Sequence, residues 1–472
     1  MDLRFLLHEA GIPSNETDTE TEITAVTDRL ERVVPGALFV CIDGANARGT
    51  SLANEAKRLG AAAFLSESPL GLPETVVTEN VRLSYSKLAC VINGRPDRRL
   101  KLIGVTGTNG KTTTAWYIRS LLNACGERCA YVGTEGVDVG EGLSPTGFTT
   151  PGADLFFGAL KKAADRGHTA CAAEVSSMAL DQYRVHGARF SVGVFTNVGG
   201  DHLDYHRTPA RLAEAKSRLT ALSDTMLVNA DDAYAPLFRA DGTKTYLYSA
   251  RAVLSDFSAR NVRFEGFGSG FLYFNGKKAY KARLNAPGMF SVYNALAALA
   301  ACELAGADPD RLVQLTETLP APPGRAELLR KNGVTVCVDF AHTPEALSAI
   351  LQALRPSCTG RLIAVFGAGG DRDPSKRPVM GRVAALYADA VILTSDNPRH
   401  EDPDAIIADI LKGIRSKKNV FREPDRRRAI ALSLNKANPG DTVLIAGKGS
   451  EKTQVVGDEE IPFSDADTVR SL

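Results

Sequence analysis

Gly107, Gly110, Lys111 and Thr112 have the types and spacing to hold a phosphate chain, because they sit in a turn between a short apolar run and a helix start. In the stretch Leu102-Ile103-Gly104-Val105-Thr106-Gly107-Thr108-Asn109-Gly110-Lys111-Thr112-Thr113, the apolar run reads as a buried strand. Its glycines let the backbone turn tightly, so successive N–H groups and the positive end of the following helix point at one anion. Lys111 then reaches the β- and γ-phosphates, and the Thr112 hydroxyl ligates Mg²⁺. The full G-x-x-x-x-G-K-T pattern is not met, since Val105 stands where its first glycine belongs. The competing reading is an ordinary strand-turn-helix with a chance Gly-Lys. Ala115, Ile118, Leu121, Leu122 and Cys125 recur at helical spacing and Gly126 closes the run, which favours the phosphate loop.

Other polar residues invite similar questions. Glu174 ends the apolar run Thr169 to Ala173 and reads either as an oxygen ligand for that magnesium or as a solvated loop acid. His202 and His206 are spaced as a metal pair, but no HExxH pattern accompanies them, which argues against zinc hydrolysis. Lys216, taken alone, reads as a surface helix lysine. Further on, Arg372, Asn397 and Arg399 offer guanidinium and amide donors for carboxylates, and Glu451 offers a partner for an ammonium group. Two arginines and an acid suit an amino acid with more than one charged end; surface ion pairs are the bland alternative.

Positioning these residues requires parallel sheets. Apolar runs at Leu102 to Val105, Ala130 to Val132, Ala170 to Ala173, Val192 to Phe195 and Met226 to Val228 alternate with helical segments. Thr112, Glu174, Asn197 and His202 fall just after several of these runs, where open α/β sheets place their ligand crevice. Gly, Phe and Tyr alternation from Val262 to Ala282 predicts an antiparallel excursion, and a helix is expected over Val292 to Leu304. Four more strands, Val334 to Val338, Leu362 to Phe366, Ala390 to Leu393 and Thr442 to Ile445, end in polar or glycine-rich loops that imply a second crevice facing the first. The chain therefore divides into residues 1–96, a small α/β unit, then 97–320 and 321–472, with Leu319-Pro320-Ala321-Pro322-Pro323-Gly324 as a stiff linker.

Composition narrows the class. With 56 Lys+Arg against 55 Asp+Glu, nothing points to a nucleic-acid or membrane surface, and Arg426-Arg427-Arg428 reads as a solvated face. The eight cysteines show no C-x-x-C pair, which argues against zinc sites and disulfides and fits a reducing compartment. Met1 to Ile12 reads as a short amphipathic helix without signal-peptide character, and no apolar run approaches membrane-spanning length. A cytoplasmic protein is expected.

Together these residues resemble the Mur ligase family, most closely its MurE branch. The likeness runs in three-domain order through Thr106 to Thr113, Thr149-Thr150-Pro151, Glu174-Val175-Ser176-Ser177, Asp201-His202-Leu203-Asp204-Tyr205-His206, Pro323-Gly324-Arg325, Asp339-Phe340-Ala341-His342-Thr343-Pro344, Gly369-Gly370-Asp371-Arg372-Asp373, Asp396-Asn397-Pro398-Arg399 and Gly447-Lys448-Gly449. The family's own loop is GTNGK followed by Ser or Thr, which accounts for the missing glycine. The resemblance implies a small N-terminal UDP-sugar-binding α/β domain, a central P-loop ATPase with a parallel sheet, and a C-terminal Rossmann-like α/β domain. It implies ATP-dependent ligation of meso-diaminopimelate to the D-Glu carboxylate of UDP-N-acetylmuramoyl-L-Ala-D-Glu through an acyl phosphate, in peptidoglycan precursor synthesis, by a monomer.

By the same likeness Lys111, Glu174, His202 and Lys216 are catalytic. Thr112, Glu174, His202 and Lys216, the last as a carbamate, hold Mg²⁺. ATP contacts Gly107, Thr108, Asn109, Gly110, Lys111, Thr112, Thr113, Asn294, Arg325, Asp339 and His342. The sugar-nucleotide dipeptide meets Thr149, Thr150, Ser176, Gln182 and Arg184. The amino acid meets Arg372, Asp396, Asn397, Pro398, Arg399, Gly447 and Glu451. The Asp-Asn-Pro-Arg tetrapeptide marks diaminopimelate-adding members, since Arg399 can clamp a distal carboxylate that lysine lacks.

The chain departs from the family at Arg29-Leu30-Glu31 for Asp-Ser-Arg, at Arg48-Gly49 for the Asp-Gly after Gly44, at Gly199-Gly200 for Ser-Arg, and at Ser450 for histidine. The first two bear on the uridine contacts and the last on amino-acid choice. Ligation of L-lysine, the acceptors of folylpolyglutamate and cyanophycin synthetases, and a catalytically silent UDP-sugar-binding paralogue remain the other readings.

Overall fold

Apolar side chains on both faces bury the run Lys101–Thr106 at the middle of a ten-stranded sheet. The computed structural model describes residues 1–472 apart from 14–20, 44–47, 73, 252–253 and 417, and apart from the side chains of 203 and 204. Gly44 and the Leu203 and Asp204 side chains of the family motifs thus lie outside the described residues. Strands Ala170–Glu174 and Phe190–Phe195 flank Lys101–Thr106, both in parallel. Beyond Ala170–Glu174 come Cys129–Gly133 and the antiparallel edge strand Gly136–Asp138. On the other side lie Ser223–Asn229, Lys244–Ser249 and Phe257–Glu265, then the antiparallel strands Gly268–Phe274 and Ala279–Leu284. The expected excursion is therefore a continuation of the same sheet.

Connections leave Lys101–Thr106 to both sides, so its carboxyl end is the switch point at which such sheets open a ligand crevice. One face of the sheet carries helix Lys111–Ala124, packed against helix Gly288–Leu304. The second helix is apolar almost all round, with Ala295 to Ala301 buried, which is why it lies in the core rather than on the surface. The other face shares one continuous core with the first unit, from Leu3 and Leu65 through Leu88 to Phe156 and Phe195. That unit holds a parallel sheet in sequence order, Ala25–Thr27, Ala37–Val40, Ala63–Ser66 and Thr75–Val77.

The third unit has its own six-stranded sheet, parallel except for the edge strand Glu327–Lys331, with a separate apolar core on each face. Strand Thr442–Ala446 lies between Val334–Asp339 and Leu362–Phe366, so the loop from Gly447 opens beside those from Asp339 and Gly367. Gly324, at φ +60°, packs against the backbone of Gly449 and Ser450, where a side chain would collide.

Arg426 corrects the surface reading of its triplet: it is 1% exposed, whereas Arg427 and Arg428 face solvent. Its Nε and Nη2 donate to Asp465 Oδ1 and Oδ2 at 2.8 and 2.7 Å, while Nη1 and Nη2 also donate to the carbonyls of Ser395 and Ala446 at 3.1 and 2.9 Å. One buried guanidinium thus ties together the origins of two functional loops. Asp465→Asn leaves that charge half paired, and the expected loss is about 3–5 kcal/mol, read as a lower denaturant midpoint at unchanged m-value.

All eight cysteines are free, and no helix among the described residues is long and apolar enough to cross a membrane.

Candidate active site

The turn after Lys101–Thr106 is built to leave a helix start bare. Gly107 has φ +151°, and a side chain there would strike the Thr196 hydroxyl. Asn197 takes the N–H groups of Thr108 and Asn109, by its carbonyl at 2.8 Å and its Oδ1 at 3.0 Å. These two residues therefore hold the loop's shape, and the N–H groups turned to an anion are those from Gly110 onward, where no side chain caps the helix. Lys111 Nζ donates to the carbonyls of Gly107 and Thr108, each at 2.9 Å. Burial pushes this ammonium below the ordinary lysine range, against the pull of Glu174 and Asp201. Asn294, whose amide lies against Gly110, accepts from Thr114 Oγ1 at 3.5 Å.

Glu174 is fully buried at the end of its strand. Its Oε1 accepts from Tyr131 Oη at 2.7 Å and from the Thr134 N–H at 2.8 Å; its Oε2 accepts from Thr112 Oγ1 at 2.8 Å and Thr134 Oγ1 at 3.2 Å. Thr112, Thr134 and Glu174 form an all-oxygen donor set of the kind a hard cation takes. Among the described residues no three of His, Cys, Asp and Glu gather as a metal cage. A cation here would need phosphate oxygens to complete its shell, as magnesium commonly does.

Lys216 is not a surface residue. It is 1% exposed on helix Pro209–Ala221, and its Nζ donates to the same Gly107 carbonyl at 2.8 Å. Two amines on one oxygen disfavour two charges. Burial first, then Lys111, push Lys216 well below the ordinary lysine value, which favours the uncharged amine. His202, at φ +56°, faces Asp201 at 3.5 Å. Burial opposes the Asp201 carboxylate, yet His202, His342 and Lys111 hold it below its usual range.

Thr150 and Arg184 link the neighbouring wall. Thr150 Oγ1 donates to the Glu174 carbonyl at 2.8 Å and accepts from the Ser176 N–H at 3.0 Å. Arg184 donates to Thr150 O and Gln182 Oε1, both at 2.8 Å, and Thr149 pairs with Thr134 at 3.1 Å. Ser176 Oγ caps helix Ser177–Asp181. The five residues expected at the sugar-nucleotide dipeptide thus form one connected strip. Burial first, then Arg82 and Arg29, push Arg184 below the ordinary arginine range, while Asp28 and Tyr205 act the other way.

The third unit faces this crevice. Ser450 Oγ donates to Glu135 Oε1 at 2.8 Å, and His342 Nε2 lies 4.0 Å from Asp201 Oδ2. Burial raises the Glu135 carboxyl. Arg325 stacks over Phe340 at 4.2 Å, with its Nε buried and unpartnered. Asp339 accepts from the Ala326 and Ala341 N–H groups at 2.7 and 2.8 Å.

Behind Ser450, the Asp396 to Arg399 loop and the Gly447 to Glu451 loop lie against each other. Asn397 Nδ2 donates to Glu451 Oε2 at 2.8 Å, and Arg399 Nη1 donates to the Gly370 carbonyl at 2.7 Å. Asp396 Oδ2 is buried without a partner, beside Gly447. Arg372 is exposed at the rim and shares with Arg399 the neighbourhood of Gly369, while Pro398 packs against Gly370.

Sequence reasoning missed Thr134, Tyr131, Glu135 and Asp201 as parts of this site. A tyrosine in a buried strand was a usable signal, since its hydroxyl needs an acceptor. Thr134 and Glu135 lie in a turn with no pattern of their own.

A sequence profile described as the Mur ligase middle domain matches residues 105–302, and one described as Mur ligase, glutamate ligase domain, matches residues 324–449. The chain is 38% identical over 477 residues to a UDP-N-acetylmuramoyl-L-alanyl-D-glutamate--2,6-diaminopimelate ligase of Aquifex aeolicus, with 100% of this chain and 95% of that protein covered. It is 38% identical over 482 residues to the Geobacillus kaustophilus protein of the same name, covering 99% and 96%. A solved structure of a protein of that name superposes with a TM-score of 0.75 at 34% identity, over 99% of this chain and 98% of that one.

Proposed function

This chain belongs to the Mur ligase family, and from that premise we propose that it joins meso-diaminopimelate to the D-glutamyl carboxylate of UDP-N-acetylmuramoyl-L-Ala-D-Glu, cleaving ATP to ADP and phosphate. The observation that supports this reading is a meeting of two elements: an uncapped helix start beside Glu174 on the central sheet, and the Asn397 and Glu451 loops of the third unit, brought together where Ser450 bonds Glu135. A carboxylate is a poor acyl donor until one oxygen becomes a phosphate leaving group. The D-Glu oxygen attacks the γ-phosphorus and ADP departs; the amine then attacks the acyl phosphate carbonyl, loses a proton, and phosphate leaves.

In this scheme Lys111 and the helix start bind the β- and γ-phosphates, and their positive charge offsets the charge that develops during transfer. Thr112 and Glu174 are the oxygen ligands suited to Mg²⁺, with His202 toward the crevice. When bound, the cation screens the phosphate oxygens from the attacking carboxylate. Lys216 is proposed to carry a carbamate: its uncharged Nζ adds to CO₂ and loses a proton, and a buried amine becomes an anion beside Lys111. Asn294, Arg325, Asp339 and His342 line the nucleotide end, supported by the unpartnered Arg325 Nε. Thr149, Thr150, Ser176, Gln182 and Arg184 guide the dipeptide, with Arg29 and Arg82 supplying positive charge for the diphosphate. Arg399 and Arg372 take the distal carboxylate of diaminopimelate, and Glu451 with Asp396 takes an ammonium. The units 1–96, 97–320 and 321–472 then hold UDP-sugar, ATP and amino acid in turn, in a cytoplasmic monomer.

The test is phosphate release with ATP, UDP-N-acetylmuramoyl-L-Ala-D-Glu and, separately, meso-diaminopimelate or L-lysine. Release with diaminopimelate and at most slow release with lysine is expected. Release with neither defeats the ligase reading, and a preference for lysine defeats only the amino-acid assignment.

A further inference from the structure

Lys448 has no surface at all, and its Nζ lies 2.8 Å from Asn397 Oδ1 and 2.6 Å from Glu451 Oε2. A lysine is rarely buried to this degree without a task for its charge. Here both of its acceptors belong to the pocket assigned to the amino acid. We propose that Lys448 is a positioning residue: it sets which way the Asn397 amide faces, and so decides what the pocket presents to the incoming diamino acid. This inference rests on the proposed ligase function.

An asparagine side chain is nearly symmetric in shape, and only its partners decide which end is oxygen. For Asn397 the partners leave one solution. Lys448 Nζ can only donate, and so can the Val455 N–H, which reaches the same oxygen at 3.0 Å. Glu451 Oε2, an acceptor when ionised, meets the other end at 2.8 Å. The amide oxygen is therefore turned toward Lys448 and the N–H end toward the pocket.

The same lysine divides the Glu451 carboxylate. Lys448 Nζ and Asn397 Nδ2 converge on Oε2, which leaves Oε1 as the acceptor for an ammonium group. An amino-acid head that offers carboxylate and ammonium side by side then meets an N–H donor and a carboxylate oxygen in matching order. Without the lysine, the amide can reverse and set its oxygen against the ligand's carboxylate. Lys448 is anchored for this role by its loop: Ala446, two residues before it, accepts from the buried Arg426 at 2.9 Å.

Lys448→Met, measured by phosphate release, is expected to raise KM for meso-diaminopimelate by about thirtyfold, the loss of a well-placed charge-assisted hydrogen bond. KM for ATP and for the UDP-sugar dipeptide, and kcat at saturating diaminopimelate, should stay within about twofold. In an Asn397→Ala background the same substitution should cost much less, because only the lysine's hold on Glu451 Oε2 then remains. An unchanged KM, or equal costs with and without Asn397, overturns the proposal. If Lys448→Met does not fold, Asn397→Asp and Asn397→Ala decide the matter. Asp puts an oxygen where the amide presents N–H, so it should raise KM more than Ala, and the reverse order refutes the assigned orientation. Wild-type protein that releases no phosphate with diaminopimelate indicts the ligase reading instead.

Discussion

Lys111→Met is expected to reduce turnover by about a thousandfold while leaving thermal stability unchanged or slightly higher. The two effects separate because this ammonium works against its surroundings in the free protein. Without a ligand its Nζ can only fold back on the Gly107 and Thr108 carbonyls, and burial pushes it below the ordinary lysine range. Replacing a partly buried charge with an apolar side chain of similar length removes a desolvation cost. The catalytic loss comes from the transition state, where charge spreads over phosphate oxygens that need a fixed positive partner. Phosphate release under saturating substrates and a thermal melt of the free protein check both halves. A loss of less than about tenfold would place the γ-phosphate elsewhere.

Lys216→Ala is expected to lose about a hundredfold or more of the activity and to recover part of it with added formate or acetate. A merely structural lysine would not respond to small carboxylates, since they replace an anion and not an ammonium. The geometry gives a charged lysine little support: Nζ shares the Gly107 carbonyl with Lys111, and among the described residues it pairs with no carboxylate, Asp201 acting on it only at a distance. The wild-type protein should also lose activity in buffer stripped of CO₂ and regain it with bicarbonate. Full activity of Lys216→Ala, or indifference of the wild type to CO₂, would remove the carbamate from the mechanism.

The strands that carry the site were legible because burial on both faces leaves short, continuous apolar runs. Lys101–Thr106, Ala170–Glu174 and Thr442–Ala446 lie within one or two residues of the runs read from sequence. The polar residues just beyond them were legible too, because carboxyl ends of parallel strands collect on one side of a sheet. Burial of individual charged side chains was not legible. Arg426 opens a triplet of arginines that looks solvated, and only its pairing with Asp465, far along the chain, puts it in the interior. The Asn197 bonds to Thr108 and Asn109 likewise decide which loop N–H groups remain for an anion, and no local pattern announces them.

By itself, then, the sequence determined the family, the strand-turn-helix around Gly107 to Thr112, the parallel sheets and the polar loops at the strand ends of the third unit, since each is written in contiguous spacing. The tertiary structure alone decided that Lys216 is buried against the Gly107 carbonyl, 109 residues away, that Ser450 reaches Glu135 across 315 residues, and that Lys448 and Glu451 hold the two ends of the Asn397 amide. The physical reason is that periodicity depends on neighbours in the chain, whereas the ionisation of a lysine or the facing of an amide depends on neighbours in space.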